Sequence, residues 1–241
     1  AGADGFSCDA PDLPVGPTNL VVRAREAFRA RWPGARRPVQ LHLAKEIPVG
    51  AGLGGGSADA AAALRLLNRL YGKPLTGQEL QEVAAAIGSD VPFLLTGGTA
   101  RMAGRGEVLE PLGWTARVWY VLVYPGVAVS TAWAYGQVSP GLTTPTPYLN
   151  FINSLSGGSV HHDTLFAVLE NDFQRVVERA YPIVAHVRSL ISRTGARVSS
   201  MSGSGSTVYG VYDDRNAAVQ AQRELEAQGY RSFLCHPAPG A

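Results

Sequence analysis

Five glycines within seven residues, Gly50, Gly52, Gly54, Gly55 and Gly56, run directly into Ser57 and an alanine-rich stretch that opens Ala58-Asp59-Ala60. Glycine accepts positive φ and carries no Cβ, so such a run can turn successive backbone N–H groups toward one point and let a ligand approach the chain. That chemistry suits an anion. A helix beginning behind the glycines adds the positive end of its dipole, which favours a phosphate chain. The segment PVGAGLGGGSADAAAAL is therefore read as a phosphate loop feeding a helix over 58–71, with Ser57 as N-cap and Asp59 in the first turn. A purely structural turn is the competing reading, but glycine at this density behind the strand-like QLHLAKEI favours a ligand loop.

Two standard phosphate motifs fit poorly. Gly50-x-Gly52-x-x-Gly55 satisfies the dinucleotide fingerprint, yet the helix runs into Gly72-Lys73-Pro74 and TGQELQEVAAAIG then reads as a second helix. The strand that would end in a ribose-binding carboxylate is missing. A Walker loop is excluded because no Gly-Lys-Ser/Thr follows the glycines.

Other residues could act beside such a loop. Asp90 stands between a helix end marked by Gly88 and the apolar run Pro92-Phe93-Leu94-Leu95, a place that suits a reactive carboxylate or a turn cap equally. Lys45 closes a predicted strand, where a solvated charge is the usual occupant. Thr131 follows the Pro125-Gly126 turn and can cap a helix from Ala132. Ser202 to Ser206 alternates serine and glycine before an apolar strand, a form that also serves a hairpin. His161 and His162 beside Asp163 invite a metal reading, but neighbours on a helix do not share a face.

The elements that must hold these residues follow from periodicity and breakers. Thr18 caps a helix over 19–32, a strand covers 39–47, and helices over 58–71 and 77–87 follow the loop. Gly97-Gly98 leads into a strand, and another spans 116–124. Residues 139–159 are rich in Pro, Thr, Ser and Gly and mark a boundary, after which the order is helix, helix, strand, strand, helix, strand. This is an α+β chain of two domains, 1–138 and 139–241. With 241 residues, 46% hydrophobic and 17% charged, and a net charge of +2, it has the composition of a soluble globular protein. No basic patch or nucleic-acid motif is present, so no nucleic-acid partner is expected. The longest apolar run is broken by Pro125 and Gly126 and is too short for a bilayer. Cys8 and Cys235 have no metal spacing and fit a reducing compartment, the cytoplasm.

The pattern P-x-G-x-G-L-G-x-x-S before a helix resembles the phosphate loop of the galactokinase, homoserine kinase, mevalonate kinase and phosphomevalonate kinase superfamily. The triple glycine with ADAA narrows the resemblance to the 4-diphosphocytidyl-2-C-methyl-D-erythritol kinase family. Ser89-Asp90-Val91-Pro92-Phe93, Gly104-Arg105-Gly106-Glu107, Asn171-Asp172-Phe173 and the MSGSGS segment point the same way. The resemblance implies an N-terminal ribosomal-protein-S5-like α/β domain and a C-terminal ferredoxin-like α/β domain. It implies ATP- and Mg²⁺-dependent phosphorylation of the 2-hydroxyl of a cytidine diphosphate methylerythritol, in non-mevalonate isoprenoid biosynthesis. Pro48, Gly50, Gly52, Leu53, Gly54, Gly55, Gly56 and Ser57 would hold the ATP phosphates, with Asn19 beside the adenosine and Lys45 along the nucleotide. The Ser57 hydroxyl would lie next to the metal. Asp90 would take the proton from the substrate hydroxyl. Arg105 would approach the cytosine through its backbone, Thr131 the transferred phosphoryl group, and Ser204, in the third motif, the substrate.

The same family carries an N-terminal strand and hairpin with a lysine and an asparagine, followed by Asp-Gly-Tyr-His. Those residues are expected upstream of Ala1 or lost by truncation. Ala58 stands where the family commonly has serine, and Ser89 where it has alanine. A monomer or weak homodimer is expected, in the cytoplasm or in the plastid stroma of a eukaryote. Three rivals remain: a superfamily kinase with another small-alcohol acceptor, a dinucleotide-dependent oxidoreductase, and a nucleotide-binding relative without catalysis.

Overall fold

The computed structural model describes residues 3–104, 106, 108–112, 118–138, 166 and 169–237. Arg105, the Pro- and Ser-rich stretch 139–159, and His161, His162 and Asp163 lie outside them. The described chain forms two compact units, one of residues 3–47 and 54–111, the other of residues 48–53 and 112–237.

In the first unit, β1 (Gly5–Cys8) pairs in parallel with β2 (Gln40–Leu43), Phe6 opposite Leu41. Parallel neighbours need a crossover, and α1 (Leu20–Arg31) provides it. β1 has only four residues and no clear alternation, so sequence periodicity does not reveal it. Three helices follow: α2 (Gly55–Leu70), α3 (Gly77–Ile87) and α4 (Val91–Thr96). Then β3 (Thr99–Ala103) pairs with β4 (Val108–Leu112). Val21, Ala24 and Phe28 of α1 pack with Ala60, Leu64 and Leu67 of α2 in one apolar core, where the alanines allow close helix approach. α3 starts with a capping box, Thr76 taking the Glu79 N–H while the Glu79 carboxylate takes the Thr76 N–H.

Asp4 ties the edge of this unit together. Its carboxylate accepts from the Arg29 guanidinium and, at 2.8 Å, from the Val39 N–H. The Arg29 hydrogen bond, helped by that N–H and opposed by partial burial, holds the Asp4 pKa down at about 2. A depressed folded-state pKa gives stability that is complete above the unfolded value of about 3.9 and is lost as pH falls through 2. Asp4→Asn is expected to lower stability at pH 7 by about 1–2 kcal/mol, allowing for solvent screening, with most of the difference from wild type gone by about pH 2. Urea unfolding at both pH values measures this.

In the second unit, β5 (Trp119–Tyr124) is followed by α5 (Thr131–Gln137), α6 (Gln174–Ala180) and α7 (Pro182–Arg193). β6 (Val198–Met201), β7 (Val208–Tyr212), α8 (Arg215–Glu226) and β8 (Arg231–Cys235) complete it. The sheet order is β6-β7-β5-β8 with every neighbour antiparallel. Two interleaved split βαβ units, β5-α7-β6 and β7-α8-β8, generate that order, which is the ferredoxin-like arrangement. Val121, Val123, Val208 and Tyr212 meet Val184, Val187 and Ile191 of α7 and Ala218, Ala221 and Leu225 of α8 on one face of the sheet. Because β5 hydrogen-bonds between β7 and β8, the chain from 112 belongs with this unit, earlier than the composition change after 138 suggests. Among the described residues, no helix is long and apolar enough to cross a membrane.

Candidate active site

The first half of the glycine loop, Pro48–Leu53, belongs to the second unit. Three of its carbonyls are turned into that unit. Gly50 O accepts from the Val129 N–H at 3.0 Å, Ala51 O from the Thr207 N–H at 3.0 Å, and Gly52 O from Ser202 Oγ at 2.9 Å. Gly52 has φ +75°, and a Cβ there would lie 2.6 Å from Gly205 O and closer still to Ser202 O. The 202–207 turn that provides these supports is closed by Ser202 N–H to Thr207 O at 2.8 Å and Gly205 N–H to Ser202 O at 2.9 Å. The serine–glycine segment is thus both the connection from β6 to β7 and the seat of the glycine loop. The same unit brings Thr131 Oγ1 within 3.0 Å of Ser204 Oγ, two residues singled out from the sequence. Thr131 is the first residue of α5 and not its cap. Ser130 Oγ accepts the Trp133 N–H instead, since only Ser130 has the extended backbone a cap requires.

The second half of the loop, from Gly54, belongs to the first unit. α2 begins three residues earlier than the sequence suggests, capped by Gly54 in the left-handed conformation at φ +64° with no side-chain cap bond. Ser57 therefore lies inside the first turn and is not the N-cap. Its hydroxyl has no partner among the described residues. Asp59 falls beyond the first turn, which carries no acidic residue. Among the described residues, the N–H groups from Gly52 to Ser57 have no acceptor, while the carbonyls of Gly50, Ala51 and Gly52 are fixed. Open N–H groups at a helix N-terminus, such as those from Gly54 to Ser57, can receive an anion.

Beside α2, the Lys45 ammonium donates to Asp59 Oδ2 at 2.6 Å, with only 6% of its side chain exposed. β2 ends at Leu43, so Lys45 is a buried, paired cation and not a solvated strand end. A Cβ on Gly55 would come 3.0 Å from that ammonium and 2.7 Å from Ile47 Cγ2, so glycine is required to seat it. Asp59→Ala leaves the ammonium without its partner and is expected to cost about 1–3 kcal/mol of stability. Thermal unfolding with Lys45→Met as the second leg of a double-mutant cycle measures the pair.

Asp90 occupies the position before α4, but its side chain caps nothing. Its exposed carboxylate makes no hydrogen bond or ion pair with a described residue, which decides against the capping reading. One turn on, Leu94 Cδ1 lies 3.2 Å from where a Gly54 Cβ would be, so α4 carries Asp90 beside the start of α2. Asn19, in contrast, is committed locally. It replaces Thr18 as the N-cap of α1, its Oδ1 accepting the Val21 N–H at 2.9 Å and its Nδ2 donating to Pro14 O at 2.8 Å. That leaves one amide hydrogen for a ligand. Arg105 lies outside the described residues. The Lys45–Asp59 pair and the support from Ser202 had no sequence signal, because neither separation has a period. Asp59 could have been found only by asking what neutralises Lys45.

The family model for the GHMP kinases N terminal domain matches residues 19–98, and that for the GHMP kinases C terminal matches 161–231. The chain is 41% identical over 220 residues to the 4-diphosphocytidyl-2-C-methyl-D-erythritol kinase of Geobacter sp. (strain M21), covering 91% of this chain and 76% of that one. It is 42% identical to the same-named kinase of Synechococcus sp. (strain JA-2-3B'a(2-13)), covering 92% and 74%. A crystal structure of 4-(cytidine 5'-diphospho)-2C-methyl-D-erythritol kinase superposes with a TM-score of 0.77 at 32% identity, over 98% of this chain and 84% of that chain. The homoserine kinase of Cytophaga hutchinsonii reaches the same TM-score of 0.77 at 19% identity, covering 99% and 82%, and so shares the fold. With these matches over most of its length, and with its ferredoxin-like second unit, the chain belongs to the GHMP kinases and, within them, to the 4-diphosphocytidyl-2-C-methyl-D-erythritol kinase family.

Proposed function

We propose that this protein transfers the γ-phosphoryl group of ATP to the 2-hydroxyl of 4-diphosphocytidyl-2-C-methyl-D-erythritol, a step of non-mevalonate isoprenoid biosynthesis carried out in the cytoplasm. The observation that carries the reading is the row of N–H groups from Gly54 to Ser57 at the N-terminus of α2, which have no acceptor among the described residues. Pro48, Gly50 and Leu53 complete the phosphate loop around them. Phosphoryl transfer asks for placed donors, charge neutralisation and one base rather than a covalent intermediate. The N–H groups hold the phosphate oxygens in line. Lys45, kept in place by Asp59, lies along the nucleotide. As the hydroxyl oxygen bonds to phosphorus and the bond to ADP breaks, the Asp90 carboxylate takes the hydroxyl proton. The paired hydroxyls of Thr131 and Ser204 are assigned to the substrate and the transferred group. Arg105 is assigned to the cytosine through its backbone.

The donor set suits Mg²⁺ that arrives with the nucleotide, since Mg²⁺ keeps its waters and leans on substrate phosphates more than on a protein cage. Among the described residues there is no cluster of three His, Cys, Asp or Glu, and the free Ser57 hydroxyl is the proposed protein ligand. When bound, the ion would neutralise charge on the β- and γ-oxygens.

The test is ADP release with ATP, Mg²⁺ and each of three acceptors: 4-diphosphocytidyl-2-C-methyl-D-erythritol, homoserine and mevalonate. Turnover with the first alone supports the proposal. Turnover with another acceptor, or none with any, overturns it.

A further inference from the structure

Asn171, half-buried just before α6, spends its whole side-chain amide on the neighbouring backbone. Nδ2 donates to Met201 O at 2.7 Å and to Gly203 O at 2.9 Å, and Oδ1 accepts the Phe173 N–H at 2.9 Å. One turn later, Gln174 Oε1 accepts from Ser200 Oγ and the Met201 N–H, each at 3.0 Å. Both side chains grip the strand end and turn that hold the glycine loop. Between the two carbonyls bound by Asn171 lies Ser202, whose hydroxyl holds Gly52 O. On the far side of the turn, the Thr207 N–H holds Ala51 O. A Cβ on Gly203 would lie 2.9 Å from Gly52 O, so turn and loop are in van der Waals contact with no slack.

We infer that Asn171 is a positioning residue for ATP, fixing the peptide planes on either side of Ser202 so that Gly52 O stays turned away from the ligand. This rests on the phosphate role proposed for the loop. The Asn171 amide is engaged with Met201 O, Gly203 O and the Phe173 N–H, so its role is to act through the turn. Only a side chain with two donors and one acceptor at this length satisfies Met201 O, Gly203 O and Phe173 N together. Aspartate keeps the shape and the Phe173 bond but sets a carboxylate against two carbonyls.

Asn171→Asp in the full chain is expected to raise the KM for ATP about tenfold, from two lost hydrogen bonds, while kcat and the KM for the acceptor change by less than about threefold. Without nucleotide, amide exchange in the peptides covering 48–57 and 200–207 is expected to rise about tenfold, with exchange in α7 unchanged. Should Asn171→Asp fail to fold, Asn171→Ser, which keeps one donor, carries the test with the same pattern at smaller amplitude. A lowered melting temperature with both KM values and the loop exchange unchanged would overturn the inference, as would equal changes in the two KM values. If the wild-type protein turns over no acceptor, the kinase proposal fails separately and the exchange comparison alone decides the role of Asn171.

Discussion

Asp90→Asn is expected to lower kcat by about 10²–10⁴-fold while leaving ADP affinity within about threefold of wild type. The range is the usual contribution of one positioned base. The substitution is nearly isosteric, and among the described residues the native carboxylate holds no helix cap and no cation, so folding loses little. Leu94 and the backbone bond from Leu94 N–H to Asp90 O are retained, so α4 keeps its place beside α2. An amide cannot accept the hydroxyl proton, and the reaction must then proceed by loss of that proton to water. Single-turnover rates with ATP and the diphosphocytidyl acceptor, set beside ADP titrations, separate chemistry from binding. A kcat within a few-fold of wild type would remove Asp90 from the reaction. Equal losses in kcat and ADP affinity would make it a binding residue.

How legible this site was in the sequence depends on what each residue type can signal. Glycine density marked the loop because φ of +66°, +75° and +64°, as at Gly50, Gly52 and Gly54, is a conformation that glycine adopts without the steric cost other residues meet. The helix expected over 77–87 agrees with α3 at both ends, and the structure shows why its start is sharp, since Thr76 and Glu79 form a capping box. The start of α2 was misread by three residues. Ser57 looks like a cap, yet glycine at 54 can end the loop without one, and the N–H groups a cap would have satisfied stay open. Thr18 against Asn19, and Thr131 against Ser130, are adjacent capping residues that composition cannot rank. The long-range parts were out of reach. Lys45 meets Asp59, and Ser202 meets Gly52, 150 residues away, through tertiary packing that no spacing encodes. The ferredoxin-like order of the second unit was anticipated from the family resemblance, whereas periodicity alone gave only its run of helices and strands.

Gly52→Ala puts the loop itself under test, and the expected result is a loss of at least about 100-fold in kcat/KM for ATP together with a lower melting temperature. Two independent costs coincide. At φ +75° an L-residue gives up about 1–2 kcal/mol. The added methyl would also stand 2.6 Å from Gly205 O and 2.8 Å from Gly205 N, atoms of a turn that hydrogen bonds already hold. Backbone cannot swing aside as a side-chain tip can, so the loop must shift by a good part of an ångström, and misplacement on that scale commonly costs about 10²-fold. Gly56→Ala provides the contrast for stability. Its Cβ would meet nothing nearer than Leu20 Cδ1 at 3.5 Å, and the position is helical, so alanine is expected to hold or raise the melting temperature. The two variants add the same methyl to the same glycine run. If both melt alike and Gly52→Ala keeps its ATP kinetics, the carbonyl contacts of Gly52 do not hold the loop in solution. Opposite shifts in melting, with ATP kinetics lost at Gly52, would place the origin of the site in the contacts behind the loop.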